Sequence, residues 1–211
     1  MKKILLITLN LILSKTCYCQ NITKDQEYCA KGSIAELTGD YRTSIIYMDS
    51  AIAINPNNHL YYSIKAEDYY NLEDYKNAIF YCNKSISLNA KNDIYFIRAL
   101  SKSKLEDYRG AIEDYTKVIP ILIQLKEKNS RIAEAFTNRA GCKLAINKTQ
   151  EAIIDCNTAL KYDIEFNRAY YAKGFAYISI DDIENGCKNL SKAGELGLEE
   201  AYDLIKKYCN N

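Results

Sequence analysis

Leu72-Glu73-Asp74-Tyr75-Lys76-Asn77-Ala78-Ile79 returns 33 residues later as Leu105-Glu106-Asp107-Tyr108-Arg109-Gly110-Ala111-Ile112. Extending this match outward divides the chain into five segments of one pattern. The second half of each segment opens on a small residue, carries a bulkier residue four later and a small or branched one seven later. The sets are Ser44, Met48, Ala51; Ala78, Cys82, Ser85; Ala111, Tyr115, Val118; Ala152, Cys156, Ala159; and Gly186, Leu190, Ala193. Twelve residues before each opening residue stands another small one: Gly32, Ala66, Ala99, Ala140 and Gly174. An aromatic precedes that one by four: Tyr28, Tyr62, Tyr95, Phe136 and Tyr170. The opening residues follow one another at 34, 33, 41 and 34.

Spacings of four and three put each set on one helix face. Each segment therefore reads as two helices forming a hairpin, with close backbone approach at the small residues and aromatics filling the gaps between neighbours. A single hairpin cannot bury its apolar face, so stacking must build the core. Asp40, Asp74, Asp107 and Asp182 precede the second helices, where a short acceptor caps free N–H groups. In the fourth segment Thr149 or Asn147 is expected to take that role. Pro56 ends the second helix of the first segment. The 41-residue step implies about seven extra residues around Ile121 to Arg131. They are expected to lengthen a second helix through Pro120 and to form an exposed turn at Lys126-Glu127-Lys128-Asn129.

With 28 basic and 27 acidic residues, the chain has no charge excess that would draw nucleic acid or an anionic membrane surface. Two prolines and eight glycines are too few for many strands and tight turns, which again favours helices. The 19 tyrosines suit half-buried sites between helices, having an apolar body and a polar tip.

Residues 1–19 read as a signal peptide, with Lys2 and Lys3 leading an apolar core from Ile4 to Leu13. That core is too short to span a bilayer, which needs about 20 apolar residues. Cys17-Tyr18-Cys19 places small residues where a signal peptidase reads, making Gln20 the expected new N-terminus. A lipid anchor and a retained tether are the competing readings.

The small–aromatic–Ala signature and its period over residues 25 to 198 resemble the tetratricopeptide family. The large first aromatic of that family is Tyr or Phe here, and its terminal Pro survives only as Pro56. The resemblance implies an all-α, right-handed superhelical solenoid of about five hairpins (25–58, 59–91, 92–132, 133–166 and 167–198), followed by a capping helix and tail over 199–211. The segment from Gly186 to Cys209 resembles the close of exported tetratricopeptide proteins of Bacteroidetes-type bacteria, and the related Sel-like repeat.

Export makes disulfides possible. Cys187 and Cys209, on adjacent helices joined by a short Gly-containing turn, are the expected pair. Such a bond stabilises by ~3 kcal/mol on the chain-entropy estimate. Cys82 and Cys156 stand at core positions, and a bond between Cys142 and Cys156 is a weaker alternative to free thiols. His59, the single histidine, reads as a surface loop residue. No phosphate loop, Ser elbow or His-Glu-x-x-His pattern occurs, so no catalytic, metal or cofactor residue is assigned.

The family binds along a concave groove lined by first helices. The matching positions are Ser63, Glu67 and Tyr70; Phe96, Leu100 and Ser103; Thr137, Gly141 and Leu144; and Tyr171, Phe175 and Ile178. The last three read either as an apolar pocket for a peptide side chain or as residues packed under neighbouring helices. Members that grip a C-terminal carboxylate use a Lys and Asn where this chain has Cys29 and Ser33, so that activity is not implied. The expected function is a non-catalytic protein-interaction module in the periplasm or at the cell exterior. Its expected partner is a protein or peptide, with no nucleic acid or small-molecule substrate, and with membrane association only through lipidation or an envelope complex. A structural subunit of an envelope assembly is the alternative, and an enzyme is the third class.

Overall fold

The computed structural model describes residues 22–89 and 94–209. The reading of residues 1–19 as a signal peptide, and the boundary set at 91/92, lie outside the described residues. Among them the chain is helical without strands. The helices are α1 Lys24–Leu37, α2 Tyr41–Ile54, α3 His59–Asn71, α4 Tyr75–Leu88, α5 Tyr95–Lys104, α6 Tyr108–Gln124, α7 Asn129–Ala145, α8 Thr149–Tyr162, α9 Asn167–Ile178, α10 Ile183–Glu195 and α11 Glu200–Tyr208. Each packs against the next in the chain, and first helices also touch first helices one hairpin on, giving a solenoid of five hairpins closed by α11.

The seams lie where the small residues stand. Ala66, Ala78, Ala99, Ala111, Ala140 and Ala152 are fully buried, as are Met48, Cys82, Tyr115, Cys156 and Leu190. The first and last hairpins use glycine for the same reason. A Cβ on Gly174 would stand 2.8 Å from Leu190 Cγ and 3.0 Å from the Gly186 carbonyl oxygen, and one on Gly32 would run into Met48.

The hairpin turns repeat with the same period. Gly39, Glu73, Glu106, Asn147 and Asp181 all adopt positive φ, between 60° and 78°. In four cases the next residue is an aspartate whose carboxylate accepts from the amide three further on: Asp40 from Thr43, Asp74 from Asn77, Asp107 from Gly110 and Asp182 from Asn185. The fourth hairpin differs from expectation. Lys148 holds the aspartate's place without a side-chain cap, Asn147 is the left-handed residue, and Thr149 is already helical.

The extra residues lengthen two helices rather than one. Helix α6 runs 17 residues with Pro120 inside it, and α7, also 17 residues, begins at Asn129. Ile132 and Ala133 bury in the adjoining cores, which draws the start of α7 forward.

Two buried ion clusters tie first helices to second helices. Asp114 accepts from Arg98 Nη2 at 2.5 Å and from Lys102 Nζ at 2.8 Å. Asp155 accepts from Arg139 Nη2 and from Lys143 Nζ, both at 2.7 Å. At the N-terminal end, Asp25 accepts from Tyr61 Oη at 2.7 Å and from Asn55 Nδ2 at 3.1 Å, clasping α1 to the α2–α3 junction. The Thr23, Tyr61 and Asn55 hydrogen bonds hold the Asp25 carboxyl down at about 2, while burial pushes the Tyr61 phenol up to about 12.

A disulfide joins Cys187 on α10 to Cys209 after α11, their Cα atoms 5.7 Å apart. Cys29, Cys82, Cys142 and Cys156 are free thiols. The alternative Cys142–Cys156 bond is absent because each sulfur packs separately: Cys142 donates to Ser103 Oγ, and Cys156 sits with Ala140 and Ala152. Burial pushes the Cys82 and Cys156 thiols up to about 12, so neither is a ready nucleophile.

Candidate interaction cleft

Helices α7 and α9 are the first helices of the last two hairpins, and they touch while leaving part of their facing sides open. Thr137, Gly141 and Leu144 recur at four and three along α7, and Arg168, Tyr171 and Phe175 at three and four along α9, so each set lines one face. Between them lies a cleft of about 640 Å³, completed by Asn138, Ala145, Ala172 and, from the C-terminal segment, Leu198 and Glu200. Gly141 keeps the floor open, since a Cβ there would meet nothing within 4 Å. Phe175 leaves 42% of its surface exposed, a large apolar side chain turned toward solvent. The Thr137 hydroxyl donates to the Ala133 carbonyl at 2.8 Å, so its polar atom is already satisfied.

The lining is mostly apolar, with Arg168 and Glu200 as its charged groups. The field of Arg168 extends to Tyr70 on α3: burial raises that phenol's pKa, Tyr75 and Glu134 add to the rise, and Arg168 opposes it. Such a cleft can accept an apolar side chain and offer an amide and a guanidinium to the adjoining backbone or carboxylate.

Thr137, Leu144, Tyr171 and Phe175 are thus brought together. The other groove positions are not. Ser63 is buried between α3 and α4, its hydroxyl 2.8 Å from that of Ser85. Ile178 is buried against Gly186 of its own hairpin, which corrects its assignment to the groove. Phe96 is likewise a core residue, edge-on to Tyr115 at 5.9 Å, although it borders a smaller cleft of about 400 Å³ with Glu67, Arg131 and Glu134. Tyr70 packs its ring on Tyr75, Leu100 packs on the α5–α7 core, and Ser103 accepts from Cys142. Arg168 escaped the sequence reading although it stands one turn before Tyr171 on the same face. Leu198 and Glu200 had no signal, because the repeat frame does not say where the closing segment lands.

Among the described residues, no helix is long and apolar enough to cross a membrane, and no three His, Cys, Asp or Glu side chains cluster as metal ligands.

Stacked antiparallel helix pairs with small-residue seams define a helical-repeat solenoid. Residues 28–58 and 61–92 match the tetratricopeptide repeat family model, so the first two hairpins are tetratricopeptide repeats by sequence. A DnaJ homolog subfamily C member 7 homolog from Dictyostelium discoideum is 27% identical over 94 residues, 44% of this chain and 17% of its own length. The chain therefore spans less than a fifth of that relative. MamA from Desulfovibrio magneticus RS-1 superposes with a TM-score of 0.74 at 16% identity, over 83% of this chain and 96% of its own. YrrB, described as a TPR protein with an unusual peptide-binding site, superposes with a TM-score of 0.74 at 17% identity, over 92% and 97%. The array as a whole has the tetratricopeptide solenoid fold.

Proposed function

We propose that this protein is an exported, non-catalytic interaction module that takes a peptide or protein segment in the cleft between α7 and α9. The observation that carries the reading is an open, largely apolar cleft, walled by Tyr171, Phe175, Leu144 and Leu198 and flanked by Arg168. An apolar cleft with an exposed aromatic on its rim can bury an apolar side chain of a partner. YrrB, of the same fold, is described as having a peptide-binding site. The Cys187–Cys209 bond accords with export through residues 1–19 to the periplasm or beyond, where disulfides persist.

The test is a comparison of partner capture from native envelope extract by the wild-type chain and by Tyr171→Ala/Phe175→Ala, read by mass spectrometry. A specific partner retained by the wild type and lost from the double variant, with helicity and melting unchanged, is the expected result. The same partner set on both proteins would remove the cleft from the function.

A further inference from the structure

One position in the repeat is basic in all five hairpins. The residue before each small residue of the first helix is Lys31, Lys65, Arg98, Arg139 and Lys173. Four of these have a carboxylate partner within the chain. Lys31 pairs with Glu27 at 2.6 Å, Lys65 pairs with Asp49, and Arg98 and Arg139 hold the buried Asp114 and Asp155. In hairpins three and four a second cation joins three residues past the small one, Lys102 and Lys143.

The fifth hairpin keeps the cation and lacks the anion. Asn189 stands where Asp114 and Asp155 stand, three residues into the frame of its second helix, and Tyr177 replaces the second cation. Asn189 is buried, though less deeply than those aspartates, and has the aspartate's shape without its charge. Its Nδ2 donates to the Asn185 carbonyl at 2.7 Å. Lys173, Tyr177 and Asn189 line a pocket of about 500 Å³ that also takes in Lys188, Lys192 and one carboxylate, Glu195. Lys192 is paired with Glu195 at 3.1 Å, whereas Lys173 and Lys188 have no carboxylate partner among the described residues. The pocket uses a different face of α9 from the interaction cleft, because residues 173 and 177 are turned well away from 171 and 175.

Three lysines, Lys173, Lys188 and Lys192, face this pocket against the single carboxylate of Glu195, so it keeps a net positive charge, and their mutual repulsion falls when a further anion enters. We propose that the fifth hairpin binds an external oxyanion, a carboxylate or a phosphate group, between Lys173 and Lys188, beside the uncharged Asn189 that fills the place where hairpins three and four hold an aspartate of their own.

The full chain carries the test. Melting is followed while succinate or inorganic phosphate replaces chloride at constant ionic strength. The wild type shows a saturable rise of about 3–5 °C at a tenfold excess over Kd. Lys173→Met loses the rise. Asn189→Asp also loses it, because the site then carries its own carboxylate as Asp155 does, and it melts no lower than the wild type without added anion. A larger response to succinate identifies a carboxylate ligand, and a larger response to phosphate a phosphate group. No saturable response to either anion in the wild type, or an undiminished one in Asn189→Asp, overturns the proposal. Should Lys173→Met fail to fold, Asn189→Asp decides alone.

Discussion

Asp68 is a fully buried carboxylate whose oxygens have no well-formed hydrogen bond among the described residues, the equally buried Ser44 hydroxyl being the polar group near it. Asp114 and Asp155 show what burial ordinarily demands, two cations each, and Asp68 has none among the described residues. Burial pushes its pKa up to about 7; a contact with Ser44 lowers it, and the charge of Glu36 adds to the rise. The sign follows from linkage. The folded pKa lies above the unfolded value near 4, so stability is full below about pH 4 and is lost as pH rises through 7. Asp68→Asn is therefore expected to raise the melting temperature at pH 8 and to flatten its dependence between pH 4 and 8, measured by calorimetry. Asp25 runs the opposite way: its stabilising contribution is present above its unfolded pKa and declines as pH falls toward 2.

The glycines make a second prediction at this scale. Gly174→Ala places a Cβ against Leu190 and the Gly186 carbonyl and is expected to destabilise by about 1–3 kcal/mol in denaturant melts. Gly141→Ala, in the same kind of helix but with open space around it, is expected to stabilise by roughly 0.5–1 kcal/mol. The small-residue seam was legible from the sequence because the same size constraint recurs five times at a fixed spacing. The burial of Ser63 and Ile178 was not. Ser63, Phe96, Thr137 and Tyr171 share one frame position, yet only Tyr171 escapes burial. Helical phase gives a direction, and how far the next hairpin closes over that direction depends on the side chains it brings.

Between elements, the ion clusters are the sharpest contacts. Asp155→Asn leaves the largely buried Arg139 without a counter-charge and Lys143 with only Glu151, at 3.7 Å, and is expected to cost about 3–5 kcal/mol by urea denaturation. The start of α7 shows why boundaries were less legible than periods. Nothing local distinguishes Asn129–Ile132 from the turn before it. The helix begins there because Ile132 is 3% exposed in a core built by α5 and α6. The missing cap of α8 is similar: Asn147 and Thr149 have capping side chains, but the left-handed turn puts Lys148 at the cap position.

For the whole molecule, export predicts a mature chain beginning at Gln20, which intact mass and N-terminal sequencing of the protein from its native envelope would establish. An N-terminus still at Met1, or lipid on Cys17 or Cys19, would redirect the localisation. The Cys187–Cys209 bond closes a 22-residue separation, and its loss in Cys209→Ser is expected to lower stability by about 3 kcal/mol. The disulfide has a further consequence, because a stack of like units has no intrinsic length limit. At its opening end α1 presents Ile34 and Leu37 to solvent, 63% and 87% exposed. With α11 pinned over the far end, a second molecule finds no matching surface there to continue the stack. Because the disulfide adds to the packing that holds α11 on α10, reduction is expected to loosen that cover, with head-to-tail oligomers in reduced but not in oxidised protein, read by sedimentation, as the result.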